Sequence, residues 1–440
     1  MNQSFSAYEF IASHNSDIRV SLYTPAHQGI ALNSDSPNSE IYQYDVTFLT
    51  RSRTENIEKY FSQSYRTKHT FWLTGGATQG VLTACALLGT QYKRVAIALN
   101  SHIATINGIV LAGLEPYFIE SKSLMPTTRE VITALEISGV SALLLTHPSY
   151  EGVTIDLAKI ADYCRQNDIA LVVDEAHGTH FPFLGEQWQS AINFGADIVT
   201  HSLHKYAGSL VQTALLHLPE KSRFSGEQVI GSLALFETTT RSNLLILSIE
   251  DAIKNGYSES GKALFNQAIQ ECDRLRYQLD SYGQILTYDS QVSDPLKIYL
   301  KSDRTTGEEL AKLLYEQGID GEFADETGLL LIFSFRHTKQ DFQFIRETFA
   351  KLVIILREKA ATNNTLPKSY FCRHPQMKIL PKDAFFSRKE KLPIGQALGK
   401  ISGCCLLKVP PASPLLIPGE EITDWHLKIL DANTMIETTC

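Results

Sequence analysis

From residue 71 onward, short apolar runs alternate with segments of helical periodicity. The runs fall at residues 70–73, 94–98, 142–145, 170–173 and 198–201, and the helix-like segments at 78–88, 105–112 and 156–167. The short apolar runs read as strands. Strands and helices that alternate at this spacing are constrained to an α/β class with a mostly parallel sheet. Ligands of such sheets collect beyond the carboxyl ends of the strands, so chemistry is sought in the residues that follow each run.

The 440 residues exceed one compact core. Residues 1–50 are turn-rich and read as an N-terminal arm, and residues 51–295 as the large domain. Within it, residues 246–280 read as one long helical region. A second α/β pattern gives a small domain at 296–360, with strands at 297–300 and 329–335 and helices at 308–317 and 340–359. The polar stretch 360–367 reads as a linker. It leads into a C-terminal segment, 361–440, that carries Pro410, Pro411, Pro414 and Pro418.

The net charge of −8 argues against nucleic acid and anionic membranes as partners. Seven scattered cysteines without CxxC spacing argue against a disulfide framework and a zinc site, and no metal is expected. The start lacks the pattern of a signal peptide, and no apolar stretch reaches about 18 residues. A cytoplasmic protein is expected.

Two segments carry the chemistry: Val172-Val173-Asp174-Glu175-Ala176-His177 and Ser202-Leu203-His204-Lys205. A carboxylate at the end of a buried strand can hold a pyridine nitrogen protonated, and Asp174 has that place. A lysine in a partly desolvated pocket can form a Schiff base and move protons. Lys205 follows the next strand, 31 residues later. Together they point to pyridoxal phosphate (PLP). Taken alone, such an Asp is usually a turn residue and such a Lys a solvated charge. Asp174-Glu175-Ala176-His177 also matches the acidic motif of a class of nucleic-acid helicases. That function needs a GxxxxGK[ST] loop upstream, and Val81-Leu82 stand where Lys and Ser/Thr are required. The loop Thr74-Gly75-Gly76-Ala77-Thr78-Gln79-Gly80 lies between a strand and a helix, where glycines and free N–H groups suit a monophosphate. His102, after the strand at 94–99, can stack on a pyridine ring, with Ala176 on the opposite face; a surface histidine is the plainer alternative.

The order of these motifs resembles the ornithine/lysine/arginine decarboxylase family, PLP enzymes of the aspartate-aminotransferase fold. The resemblance is carried by Thr24-Pro25-Ala26-His27-Gln28-Gly29, the Gly76–Gly80 loop, Asn100-Ser101-His102 and Thr146-His147-Pro148-Ser149-Tyr150-Glu151-Gly152-Val153. It continues through Asp174–Phe181, Gly195-Ala196-Asp197-Ile198, Ser202–Lys205, Gln212-Thr213 and Pro418-Gly419-Glu420. It implies a PLP-binding large domain with smaller C-terminal α/β parts. Lys205, Asp174 and His102 would be catalytic. Gly76, Ala77, Thr78, Ala176, His177, Ser202 and His204 would help bind the cofactor. Thr239 and Thr240 would reach the neighbouring subunit's cofactor in a homodimer.

The implied activity is decarboxylation of an amino acid, by default lysine, arginine or ornithine, with polyamine biosynthesis as its context. Another PLP reaction on the same fold, or a PLP-binding paralogue without turnover, stays open. A cationic substrate needs an acidic pocket, for which Glu151, Asp320, Glu322, Asp325 and Glu326 are candidates. Departures from the family pattern at Phe48, Arg241 and Cys404 suggest a changed specificity, unless Arg241 pairs locally, for example with Glu237.

Overall fold

The computed structural model describes residue 41 and residues 51–121, 123, 125–185, 188–361, 373–409 and 412–440. The segments at 24–29 and 45–48, with Phe48, and Pro410 and Pro411 lie outside the described residues. The strands in chain order are β1 His69–Leu73, β2 Arg94–Ala98, β3 Glu115–Ile119, β4 Ala142–Thr146, β5 Ala170–Asp174, β6 Ile198–Ser202 and β7 Ala214–Leu218. Every residue of β4, β5, β6 and β7 is buried, as apolar runs covered on both faces require.

The chain divides into two compact units. The first takes Met1–Gln91 with Ala170–Ser258, and the second Tyr92–Ile169 with Glu259–Cys440. In the first unit the strand order is β1-β7-β6-β5. β5 and β6 are parallel, with Asp174 opposite Thr200, while β7 runs antiparallel to both β6 and β1. The helix Gly76–Gly89 packs on β6 and β7. It comes so close that a Cβ at Gly80 would lie 2.7 Å from Thr200 Cγ2, which is why glycine stands there. The opposite face is covered by Tyr65 of the helix Arg51–Tyr65 and by Tyr257, which meets Tyr65 edge-on.

In the second unit β4, β2 and β3 lie side by side and parallel. A separate antiparallel sheet has the order β10-β11-β9-β8, where β8 is Thr287–Tyr288, β9 Lys297–Lys301, β10 Phe323–Ala324 and β11 Leu329–Ile332. At the C-terminal end β12 (Lys389–Pro393) pairs with β15 (Met435–Thr439), and β13 (Leu406–Lys408) with β14 (Ser413–Leu416). These two strand pairs flank a small core of Ile394, Ala397, Leu416, Ile422 and Ile436.

The α/β class expected from the sequence holds. The region expected as one long helix is two, Asn243–Tyr257 and Glu259–Asp280. The break falls at Ser258, which is extended and whose hydroxyl donates to Asn255 O at 2.7 Å, a local bond that competes with the helix ladder. The strand expected at 329–335 stops at Ile332. No described helix is long and apolar enough to cross a membrane.

Candidate active site

Strand alternation turns Asp174 toward the face that its register partner Thr200 shares with the helix Gly76–Gly89. Its carboxylate is 4% exposed and accepts from the Ala176 amide at 3.2 Å. Burial, and then the charge of Asp174, push the thiol of Cys85 in that helix up to about 12. A buried carboxylate at a strand end is a ready partner for a cation. The chain then turns: Gly178 N donates to Glu175 O at 2.9 Å. Thr179 Oγ1 donates toward Ala176 O at 3.2 Å and Ser202 O at 3.0 Å, which ties the turn after β5 to the end of β6.

Lys205 sits in the single helical turn Leu203–Tyr206, directly after β6. Leu203 and Tyr206 are buried and anchor the turn, whereas Lys205 is exposed. Its Nζ lies 2.7 Å from His177 Nε2, so amine and imidazole can share a proton. His204 Nδ1 lies 3.2 Å from Thr213 O, and a carbonyl only accepts, so Nδ1 carries the hydrogen. Burial lowers the His204 pKa, against that hydrogen bond and together with the Lys205 charge.

The helix Gly76–Gly89 starts without any side-chain cap, and Gly75 and Thr78 are exposed there. Gly76 has a φ of +72° with open space where a Cβ would be, and its N–H donates to Gln212 O at 2.8 Å. An uncapped helix start of this kind binds anions.

The first unit thus holds Asp174, Ala176, His177, Gly76, Ala77, Thr78, Ser202, His204 and Lys205. Thr239 and Thr240 belong to it as well and are exposed. Arg241 is 8% exposed, is paired to Glu237 Oε1 at 3.1 Å and lies 4.3 Å from the Trp72 ring centroid. His102 belongs to the second unit, where it caps the helix Ile103–Ala112 by accepting from Ala104 N at 3.1 Å. The carboxylate candidates are there too. Glu151 is buried, which raises its pKa, and accepts from Ser149 Oγ at 2.9 Å. Although burial opposes it, Asp325 is held below the usual carboxylate range by hydrogen bonds from Thr327 and Tyr299 and by Lys408. Glu322 accepts from the Tyr150 hydroxyl at 2.8 Å. It also lines, with Asp320, Phe333 and His337, a cavity of about 440 Å³. Glu326 is exposed. Two residues that the sequence motifs contain without a role contribute here: Gln79, whose side chain accepts from Gly75 N at 2.9 Å, and Gln212, whose carbonyl accepts from Gly76 N. The φ of +74° at Gln212 leaves no signal in a glutamine.

The residues fit PLP: an uncapped helix start for the phosphate, a buried carboxylate for the ring nitrogen and an exposed amine for the aldehyde. The family described as Orn/Lys/Arg decarboxylase, major domain, matches residues 48–299. The chain belongs to this family. It is a PLP-dependent amino-acid decarboxylase. The decarboxylase is 28% identical over 394 residues to an arginine decarboxylase of Halalkalibacterium halodurans, covering 84% of this chain and 79% of that one. It is also 28% identical over 397 residues to an arginine decarboxylase of Bacillus subtilis, with the same two coverages, 84% and 79%. Among solved structures, a lysine decarboxylase of Francisella novicida matches 99% of the decarboxylase and 81% of its own chain, with a TM-score of 0.80 at 16% identity. The constitutive lysine decarboxylase of Escherichia coli matches 97% and 76%, with a TM-score of 0.74 at 17% identity. These likenesses establish the aspartate-aminotransferase-like fold expected from the sequence.

Proposed function

We propose that the chain decarboxylates a basic amino acid, arginine before lysine or ornithine, and that Lys205 carries the cofactor. The observation behind the assignment is the exposed Lys205 amine 2.7 Å from His177, in the unit that also holds buried Asp174 and the uncapped helix start. When bound, PLP supplies the electron sink for the pair left behind by CO2. Asp174 holds the ring nitrogen protonated. The Ala77 and Thr78 amides, Ser202 and His204 would receive the phosphate, while Gly76, its own N–H given to Gln212 O, would shape the loop; His204 would donate from Nε2 when protonated. Lys205 holds and returns a proton at Nζ, with His177 Nε2 as its partner. Ala176 would pack on one ring face, and the stacking role expected of His102 from the resemblance belongs to the same proposal.

Arginine is favoured because relatives named arginine decarboxylase align over more than four-fifths of the chain. Two of the three departures that pointed elsewhere have local explanations, and the third, Phe48, lies outside the described residues. Glu237 answers the charge of Arg241, and Cys404 packs against the C-terminal core. The same proposal includes a homodimer in which Thr239 and Thr240 reach the partner's cofactor, a cytoplasmic setting and a role in polyamine biosynthesis. It keeps the division into 51–295, 296–360 and 361–440.

Borohydride treatment of the PLP-loaded protein, followed by peptide mass spectrometry, tests the cofactor assignment. A pyridoxyl group on Lys205 is expected, and a label on another lysine refutes it. Amine release from arginine, lysine and ornithine tests the substrate. A kcat/KM below about 10⁴ M⁻¹s⁻¹ for all three, the low end of the ordinary enzyme range, refutes the basic-substrate reading.

A further inference from the structure

On the face of the first unit's strands opposite Asp174, a line of fully buried polar side chains crosses from β1 to the end of β5. Thr70 of β1 stands in register with His217 of β7, and its Oγ1 lies 2.9 Å from His217 Nδ1. His217 Nε2 lies 3.0 Å from His201 Nδ1 on β6. His201 Nε2 lies 2.7 Å from Glu175 Oε2, just beyond β5. Glu175 accepts in addition from Ser190 Oγ, and from Ala191 N at 2.9 Å. Thr70, His217, His201 and Glu175 are each 0% exposed. Tyr65 seals the line, its ring centroid 4.4 Å from that of His217 and 5.9 Å from that of His201.

Such a line is a poor way to gain stability, because buried polar groups contribute little more than well-packed apolar ones. What it does provide is a fixed separation. Each hydrogen bond is directional, and each imidazole is satisfied at both nitrogens only if both neighbours are in place. The line ends next to the chemistry. Glu175 adjoins Asp174 on the opposite face, and His201, four residues before Lys205, adjoins Ser202.

We propose that Thr70, His217, His201 and Glu175 are positioning residues of the cofactor site, holding the ends of β5 and β6 so that Asp174 and the Lys205 turn keep their places. This rests on Lys205 and Asp174 being the cofactor residues. None of the four touches the cofactor. Misplacement of a reacting group by about 1 Å costs on the order of 100-fold in rate, so a brace at this point matters to turnover out of proportion to its contribution to folding.

The decisive comparison is His217→Phe against His217→Gln. Phenylalanine keeps a flat ring beside Tyr65 but breaks the line; glutamine offers one donor and one acceptor and can restore it. Three properties are measured: PLP affinity of the apoprotein, the visible circular dichroism of the bound cofactor, and amide exchange of residues 174–179 in the apoprotein. We expect His217→Phe to weaken PLP binding by about tenfold or more, to diminish the visible dichroism and to raise exchange in that turn, with kcat falling further than KM changes. His217→Gln should stay within about threefold of wild type. If His217→Phe does not fold, Thr70→Val, which removes one hydroxyl without changing shape, should show a smaller loss in the same direction. Unchanged PLP affinity and dichroism in His217→Phe, or in Thr70→Val where that variant stands in, overturn the inference. So does a glutamine variant as impaired as phenylalanine, which would assign the effect to ring packing. A wild-type borohydride label away from Lys205 overturns the cofactor assignment and the inference with it; a label on Lys205 beside an unaffected His217→Phe overturns the inference alone.

Discussion

Lys205 is exposed although its neighbours Leu203 and Tyr206 are buried, because a single helical turn presents the middle of its four residues away from the anchors on either side. Asp174 is the reverse, a charge held in a fully buried strand. The two residues therefore respond differently to mutation. With the proposed roles, Asp174→Ala would remove the counter-charge of the ring nitrogen and should cost about 10³-fold or more in turnover, whereas His102→Ala would remove a stacking ring and should cost tenfold to about 100-fold. Turnover of both variants at saturating PLP checks this; comparable losses would deny Asp174 its role. A second residue-scale effect depends on pH. Burial, and then His201, hold the His217 pKa well below the ordinary 6.5. The neutral ring is favoured in the fold, so the unfolded chain takes up the proton first on acidification. The stability from this ring is complete above about pH 6.5 and falls by up to about 1.4 kcal/mol for each pH unit below it. Besides His201, Tyr65 packs on the ring, and one contact further out stand Glu175 on His201 and Tyr257 on Tyr65. Urea unfolding at pH 7 and pH 5 should show this loss in the wild type, and His217→Gln should flatten the slope between the two pH values.

At the scale of elements, the helix Gly76–Gly89 is placed by a glycine contact rather than by a cap. Adding a methyl at Gly80 brings a Cβ within 3.0 Å of Leu73 Cδ1 and closer still to Thr200 Cγ2. Thr200 is β-branched and 1% exposed, so it has little room to turn away. Gly80→Ala should therefore destabilise by about 1–3 kcal/mol and shift the helix start, weakening PLP binding at the phosphate end. Thermal unfolding of the apoprotein and a PLP titration check the two effects separately. The strands β4, β5 and β6 and the helix were legible in the sequence, because a run buried on both faces and a glycine-rich helix start are local patterns. β7 and the helix Arg51–Tyr65 were not. β7 interrupts its apolar run with His217, and the helix is polar along most of its length, so neither shows the periodicity that burial normally imprints.

For the whole molecule, a cofactor that binds only the folded state stabilises it by mass action. PLP at about 1,000 times its dissociation constant should add about 4 kcal/mol, seen as a rise in Tm that is lost on dialysis against a PLP scavenger. An unchanged Tm would mean that PLP does not bind the native state selectively. Leu210, Val211 and Leu235, 52%, 73% and 72% exposed, lie in the same unit as the exposed Thr238–Thr240 stretch. Exposed apolar surface in the unit that carries a segment proposed to reach a partner's cofactor predicts an active dimer. Sedimentation at assay concentration checks it, and a fully active monomer would refute it.

The chain's own pattern determined the α/β class, the strand ends that carry Asp174 and Lys205, and the glycine-rich start of the helix Gly76–Gly89. These are properties of residues close together in sequence, where burial and backbone preference act directly. Tertiary structure alone decided that His177 meets the Lys205 amine, that Arg241, whose local pairing with Glu237 the sequence offered, lies over the Trp72 ring, and that Gln212 turns its carbonyl to Gly76. It also decided that two histidines in separate apolar runs join one line to Glu175. Each of these depends on strand register, or on one backbone angle such as the φ of +74° at Gln212. Such quantities are set when distant segments pack, and composition and periodicity do not encode them.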